Sequence, residues 1–142
     1  MKEKPFILED LVEDLRIFFQ SQGEILFCYL FGSFAYRNFT SKSDIDIAVY
    51  LDRKKCRDLF KKRLSLIADL SRDLKKETDV IILNDISSVF FEYVILKEGK
   101  LIFERDKEKR IEFEMKVLNQ YFDFKPIMER YNQRMLSQKG DL

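Results

Sequence analysis

The segment DIDIAVYL, from Asp44 to Leu51, alternates between two kinds of side chain along its whole length. One face of an extended chain would carry Ile45, Ile47, Val49 and Leu51. The other face would begin with two acidic residues, Asp44 and Asp46. This period of two predicts a β-strand whose apolar face is buried in a core.

The two aspartates need a physical reason, because aspartate is disfavoured in strands and both carboxylates leave the same face. Asp79 opens a second predicted strand, TDVIIL, and could lie beside them. At separations of about 4 to 7 Å and an effective dielectric constant near 20, each pair of these charges would oppose folding by about 2 to 4 kcal/mol. Hard divalent cations prefer carboxylate oxygens, so the three residues predict a site for Mg²⁺ or Mn²⁺.

The segment EILFCYLFG predicts a buried strand that ends at Gly32, and Ser33 follows it. A turn there into a short helical segment would present backbone N–H groups and a hydroxyl to an anion, and glycine would let that anion approach the backbone. Phosphates on one side and metal on the other indicate a nucleotide-phosphate site, where two metal ions could activate the attacking oxygen and stabilise the leaving one. Arg37 and Lys42, in the following loop, could contact the ligand or could be ordinary exposed charges.

The remaining segments predict alternating helices and strands without a repeat or a linker. One helix is predicted within FILEDLVEDLRIFFQSQG, a second from an Asp52 cap to about residue 76, and a third in SSVFFEYVILKEG, before the strand KLIFE. The second helix would carry the apolar stripe Leu59, Phe60, Leu64, Ile67, Leu70 and Leu74. Together these elements predict a fold of mixed helices and strands, α/β in the broad sense and α+β in the narrower one. It would have about four strands flanked by helices in one domain, 1–142.

A helical C-terminal extension is predicted over about 106–138. One apolar stripe comprises Ile111, Met115, Leu118 and Phe122. A second stripe, out of phase with the first, comprises Phe124, Met128, Tyr131 and Met135. Pro126 lies between them and lacks a backbone N–H, so two helices at an angle are predicted rather than one rod. The aromatic residues are expected in the core, although part of them could contact a partner.

Composition excludes several classes of function. The 142 residues include 26 basic and 25 acidic side chains, and a net charge of +1 does not favour binding to nucleic acid or to a membrane surface. The longest apolar run, ILFCYLF, is too short to span a bilayer. The chain has no histidine, which excludes histidine-based triads and His-ligated zinc. Cys28 and Cys56 lack metal-ligand spacing and are expected to be free thiols in a cytoplasmic protein.

The motif Gly32-Ser33, ten intervening residues, Asp44-Ile45-Asp46 and a later Asp79 resembles the signature of polymerase-beta-type nucleotidyltransferases, specifically their minimal members. The segments LSRDLKKETDVIILN, ILKEGKLIFERDKE and YFDFKPIMERYNQRM resemble the minimal nucleotidyltransferase antitoxins encoded beside HEPN ribonuclease toxins. The likeness therefore covers nearly the whole chain. It implies that family's fold, with a mixed β-sheet, and an adenylyltransferase that uses ATP and Mg²⁺ to attach AMP to a tyrosine of its HEPN partner, which silences the partner's RNase activity.

The resemblance also implies a role for each matching residue. Gly32 and Ser33 would hold the triphosphate of ATP, and Asp44 and Asp46 would ligate both metal ions. Asp79 would complete the metal site on the attacking side and would help to deprotonate or orient the incoming hydroxyl.

One position departs from the family pattern. Many relatives place an Arg-Gly pair three and four residues after the serine, where this chain has Tyr36-Arg37. The positive charge is kept one residue later and the flexible glycine is lost, which leaves open whether Arg37 contacts phosphate.

Two other functions stay open at this point. The same chemistry could act on another acceptor, such as an RNA 3′ end or a small aminoglycoside-like molecule, although the chain has no second domain to grip one. Alternatively, a non-catalytic antitoxin could neutralise its partner by contact alone. That reading would be more attractive had any of the three aspartates been replaced, and the sequence keeps all of them.

Overall fold

The structure, a computed structural model, describes residues 8–32 and 44–140, with side chains described as far as residue 137. The elements are α1 (Leu8–Gln20), β1 (Ile25–Phe31), β2 (Ile45–Leu51), α2 (Leu59–Leu74), β3 (Thr78–Ile82), α3 (Val89–Glu98), β4 (Lys100–Glu104) and α4 (Lys107–Gly140). A short 3-10 helix, Leu83–Asp85, follows β3. Among the described residues, no helix has the length and apolar character needed to cross a membrane.

The four strands form one mixed sheet in the order β3-β2-β1-β4. β1 is antiparallel to both of its neighbours, and β2 is parallel to β3. The predicted α+β class and the four-stranded mixed sheet are therefore confirmed. Because β2 and β3 are parallel, with α2 as the connection between them, their first residues lie at the same edge of the sheet. All three predicted aspartates, Asp44, Asp46 and Asp79, are at this edge.

The two faces of the sheet carry two separate groups of helices. α1 and α2 cover one face, where buried residues such as Leu15 and Leu70 pack against β1 and β2. α3 and α4 cover the other face, against Phe27 and Tyr29. The predicted burial of the β2 apolar face is confirmed, since its members Ile45, Ile47, Val49 and Leu51 are fully buried.

α2 differs from its prediction at its first turn. The helix begins at Leu59, and the Asp58 carboxylate caps it by accepting a hydrogen bond from the Lys61 backbone N–H at 3.0 Å. The prediction of an Asp52 cap was wrong, because Asp52 instead closes a turn after β2 by accepting from the Lys54 N–H at 3.0 Å. The predicted stripe was also wrong at Phe60 and Leu64, which are 67% and 49% exposed.

α4 is one continuous helix with Pro126 inside it, so the prediction of two helices was wrong. The predicted first stripe points outward, since Ile111, Met115 and Phe122 are 43%, 52% and 57% exposed. The buried face instead contains Phe113, which packs against the sheet, and the fully buried Val117.

The packed face explains why a single helix is possible. Counting 100° per residue, Phe113 and Val117 lie in phase with Phe124 and Tyr131, so no change of helix direction is required. Pro126 removes one backbone hydrogen bond, but it lies in an exposed stretch where water can satisfy the freed carbonyl.

A polar cluster joins α4 to the sheet. The Arg110 guanidinium donates from Nε to Glu104 at 2.6 Å and from Nη1 to Glu114 at 2.9 Å. The Tyr29 hydroxyl donates to the other oxygen of Glu114 at 2.5 Å. We call these four residues the arginine-centred cluster. Burial and the neighbouring Glu114 raise the pKa of Tyr29, so its hydroxyl stays protonated and donates this hydrogen bond.

Candidate active site

The three predicted aspartates meet at the shared edge of β2 and β3. Asp46 and Asp79 are direct partners in the parallel register, and Asp44 immediately precedes β2 on the same face as Asp46. All three line a cavity of about 400 Å³. The other residues of its lining are Ile67, Ser71, Glu77 and Thr78. We call Asp44, Asp46 and Asp79 the aspartate cluster.

Asp46 has a pKa that is shifted by its place in this cluster. Its half-buried carboxyl has a pKa raised above the ordinary value of 3.8, first by burial and then by the charges of Asp79 and Asp44. Each cause disfavours the ionised form of Asp46. A cation that entered the cavity would offset both effects, so the site favours a positively charged ligand.

Gly32 lies directly against Asp46, at the point where β1 ends. The preceding residue, Phe31, is the register partner of Asp46. Gly32 has a φ of +72°, and a Cβ added to it would lie 2.4 Å from Asp46 Oδ2. Two independent constraints therefore require glycine here: the left-handed backbone and the carboxylate beside it. This close approach joins the β1 end to the aspartate cluster.

Three further nucleotide contacts are predicted from the sequence. Ser33, Arg37 and Lys42 lie outside the described residues. The placement of the candidate site therefore rests on Gly32 and the aspartate cluster.

Arg63 is the main residue of this site that sequence reasoning missed. It belongs to a basic run, Lys54 to Arg63, and such a run is typical of a solvated helix face. In the structure its guanidinium donates from Nη2 to Asp79 Oδ1 at 3.1 Å and from Nε to the Val80 carbonyl at 2.6 Å. A usable signal existed, since Arg63 precedes the sheet-facing Ile67 by four residues and so lies on the same side of α2.

The aspartate cluster offers few ligands for the implied metal. Within residues 8–32 and 44–140, no three His, Cys, Asp or Glu side chains are arranged so that together they could hold a metal ion. Mg²⁺ is commonly bound by one or two carboxylates, with substrate phosphates and water completing the octahedron. Asp44 and Asp46, on one face of β2 and facing a cavity, fit that smaller requirement, whereas Asp79 is engaged by Arg63.

A larger cavity, of about 490 Å³, lies on the α3 and α4 face and contains none of the predicted residues. Tyr50 and Phe113 contribute aromatic rings, and Lys109 and Lys116 lie beside Glu92 and Glu112. Its acidic and basic groups are mixed, and Lys109 already pairs with Glu112 at 3.6 Å. The smaller cavity is the better candidate for an active site, because its three aspartates lie close together and the pKa of Asp46 is raised there by burial and by its acidic neighbours.

Comparison with known families agrees with this choice. The model of the family "Polymerase beta, Nucleotidyltransferase" matches residues 13–108, which include Gly32 and the aspartate cluster. The chain belongs to the polymerase beta nucleotidyltransferase family. The family predicted from the sequence motif is thus confirmed. A comparison with curated proteins gave no match to this nucleotidyltransferase.

Solved structures similar to this nucleotidyltransferase share its fold. A toxin–antitoxin complex with AMP-PNP has a chain that is 20% identical, with a TM-score of 0.70, and the match covers 92% of this chain and 99% of that one. A complex of tri-AMPylated Shewanella oneidensis HEPN toxin with MNT antitoxin has a chain at 18% identity and a TM-score of 0.69, with the same coverage. A mutant MntA toxin–antitoxin complex matches with 18% identity, a TM-score of 0.70 and the same coverage.

Proposed function

We propose that this nucleotidyltransferase is an antitoxin that transfers AMP from ATP to a tyrosine of a HEPN ribonuclease toxin and thereby neutralises it. The observation that carries the proposal is the arrangement of Gly32, Asp46 and Asp79. Gly32, at the end of β1, lies against the Asp46 carboxylate, and Asp46 is the register partner of Asp79 on β3. Transfer between a phosphate and an attacking hydroxyl requires groups that are held close together in this way.

The nucleotide would enter beside Gly32. The triphosphate would bind the backbone where β1 ends at Gly32, and Ser33, Arg37 and Lys42 are the residues proposed to extend this contact. A chain with the same fold forms a toxin–antitoxin complex with AMP-PNP, which is an ATP analogue, and this supports ATP as the donor.

Asp44 and Asp46 are the proposed ligands of Mg²⁺, with two ions or Mn²⁺ as possible occupants. The bound ion would neutralise charge on the phosphates and stabilise the leaving pyrophosphate. Asp46 would be held ionised by this ligand, against the burial and the neighbouring charges that raise its pKa.

In the transfer step, the acceptor hydroxyl oxygen forms a bond to the α-phosphorus of ATP. The bond between that phosphorus and the oxygen bridging to the β-phosphate breaks, and pyrophosphate leaves. Asp79 is proposed to accept or orient the proton of the hydroxyl, because it lies beside Asp46 on the outer strand of the sheet, where an acceptor can approach.

The acceptor would be supplied by the partner. A chain with this fold occurs in complex with a tri-AMPylated HEPN toxin, which supports a HEPN toxin as the protein modified. The second half of α4 offers a surface for such a partner, since its side chains Phe124, Ile127 and Tyr131 are 45%, 58% and 64% exposed. We place the reaction in the cytoplasm, because Cys28 and Cys56 are buried free thiols, as a reducing compartment favours.

Intact mass spectrometry tests the proposal. The HEPN protein encoded beside this chain is incubated with the purified nucleotidyltransferase, ATP and Mg²⁺, and peptide mapping then locates any modified residue. We expect a gain of one or more AMP units on tyrosine. Asp46→Asn should abolish the gain, and Asp85→Asn, in the 3-10 helix after β3, should not.

The other outcomes distinguish the alternative functions. A stable complex without AMP transfer, with Asp46→Asn still protecting cells from the toxin, would indicate neutralisation by contact. AMP transfer to an RNA 3′ end or a small molecule, but not to the HEPN protein, would keep the chemistry and replace the acceptor.

A further inference from the structure

The contact between Arg63 and Asp79 connects α2 to the outer strand of the sheet. Among the described strands, β3 pairs with β2 alone, so no described strand pairs with its other edge. Arg63 reaches this edge from α2 and donates from Nε to the Val80 carbonyl at 2.6 Å. The same guanidinium donates from Nη2 to Asp79 Oδ1 at 3.1 Å. One side chain thus donates a hydrogen bond to a backbone carbonyl of the outer strand and another to the carboxylate of the preceding residue.

Asp79 Oδ1 is held twice. Besides Arg63, the backbone N–H of Val80 donates to it at 2.9 Å. Two donors on one oxygen fix the rotation of the carboxylate and leave Oδ2 as the oxygen available for other chemistry. The Asp79 side chain is 53% exposed, so packing alone does not fix its orientation.

Arginine suits this geometry better than lysine. The planar guanidinium can direct Nε to a carbonyl and Nη2 to a carboxylate at the same time, whereas an ammonium group is a single point of charge. Arg63 lies on α2 and Asp79 lies on β3, so α2 must pack against the sheet before Arg63 can hold the carboxylate.

We propose that Arg63 is a positioning residue, which holds Asp79 in the orientation needed at the attacking side of the transfer reaction; this inference rests on the proposed function. Arg63 is assigned no contact with ATP. Its removal should therefore slow the chemical step and leave nucleotide binding unchanged.

The matched variants are Arg63→Ala, Arg63→Lys and Arg72→Ala. Arg72 lies on the same helix and pairs with Asp69 and Asp73, away from the aspartate cluster, so it controls for loss of an α2 arginine. A misplaced catalytic group can cost about 100-fold in rate, so we expect Arg63→Ala to lower kcat by about 10- to 100-fold with KM for ATP within about twofold of wild type. Arg63→Lys should recover part of kcat, and Arg72→Ala should match wild type.

An NMR measurement on the same proteins gives a readout independent of activity. Three-bond couplings to the Asp79 carboxyl carbon report its χ1 rotamer, which we expect to be single in wild type and Arg72→Ala and averaged in Arg63→Ala. Equal averaging in all three proteins, or an unchanged kcat in Arg63→Ala, would overturn the inference. If wild type transfers no AMP yet the rotamer depends on Arg63, the proposed function fails and the positioning contact stands.

Discussion

In the described part of this nucleotidyltransferase, the arginine-centred cluster and the aspartate cluster are built in opposite ways. In the arginine-centred cluster, Glu104 and Glu114 each accept a hydrogen bond from Arg110, and Glu114 accepts another from Tyr29. In the aspartate cluster, the acids face one another. Within the part of the chain that the structure describes, Asp79 is the only one of the three in an ion pair.

The difference separates carboxylates that support the fold from carboxylates suited to a ligand. A carboxylate whose oxygens are paired with donors from its own chain gains nothing from an added cation. A half-buried carboxylate such as Asp46, whose pKa is raised by burial and by like charges, would be stabilised by one. Substitutions in either cluster test this division.

Replacing Asp46 should have the largest effect on function. We expect Asp46→Asn to lower the rate of AMP transfer by at least about 100-fold, because it removes a preorganised charge at the reacting phosphate. The same variant should be more stable than wild type at neutral pH. Intact mass spectrometry measures the transfer, and denaturant unfolding measures the stability.

The pH dependence of this gain has a defined sign. Since the folded-state pKa of Asp46 is raised above 3.8, the folded protein binds the proton more tightly than the unfolded chain does. Wild-type stability therefore falls as pH rises between the unfolded and folded pKa values of Asp46. The advantage of Asp46→Asn should appear above this window and vanish below it. Glu104→Gln is the matched control, and it should lower stability without slowing transfer; the opposite pattern would reverse the roles of the two clusters.

Adding a methyl group at Gly32 should disturb the aspartate cluster from the β1 side. Gly32→Ala places Cβ against Asp46 Oδ2 and forces a left-handed backbone on alanine, which costs about 1 to 2 kcal/mol of stability. Displacing Asp46 should also lower the transfer rate by tens of fold, up to about 100-fold. The control is Gly23→Ala, because a Cβ there meets nothing within 4 Å. Equal transfer rates in the two variants would contradict the assigned site.

Much of the aspartate cluster could be predicted from the sequence, because its geometry is local. The period of two places Asp44 and Asp46 on one face, and the start of the next strand brings Asp79 beside them. Arg63 was harder to predict, because residue type does not distinguish a helix arginine in water from one that bonds to a strand, and only its spacing of four residues from Ile67 indicates the side of α2 on which it lies.

The errors at helix boundaries have a similar origin. Asp52 and Asp58 are both acceptable N-caps by residue type, and the hydrogen bonds after folding decide between them. A proline normally interrupts a helix. Pro126 lies in an exposed part of α4, so the loss of one backbone hydrogen bond disturbs no packed side chains there. The family resemblance, which depends on spacing between motifs, was unaffected by these local differences.

Removing the arginine from the other cluster should affect stability alone. Arg110→Met keeps much of the aliphatic stem but deletes both charge-assisted hydrogen bonds, which leaves Glu104 and Glu114 near one another without their arginine. We expect a loss of about 2 to 3 kcal/mol in the free energy of unfolding, as hydrogen bonds to charged groups are worth about 1.5 to 3 kcal/mol each and these groups are partly exposed. The transfer rate, measured where the variant is fully folded, should equal that of wild type. A slower rate under those conditions would mean that α4 positions the reaction.

The smallest expected effect is that of Tyr29→Phe, at the buried end of the arginine-centred cluster. The variant keeps the ring, which packs edge-to-face with Phe27 at 5.9 Å between centroids, and removes only the hydrogen bond to Glu114. We expect a loss of about 1 to 2 kcal/mol in unfolding free energy and an unchanged rate of AMP transfer. In the Arg110→Met background the loss should become smaller or change sign, because Glu114 would then lack its arginine and its position would no longer be fixed for Tyr29. If the changes in unfolding free energy of the two substitutions simply add, the four residues act as separate pairs. The arginine-centred cluster would then differ from the aspartate cluster only in having a positive charge that balances its carboxylates.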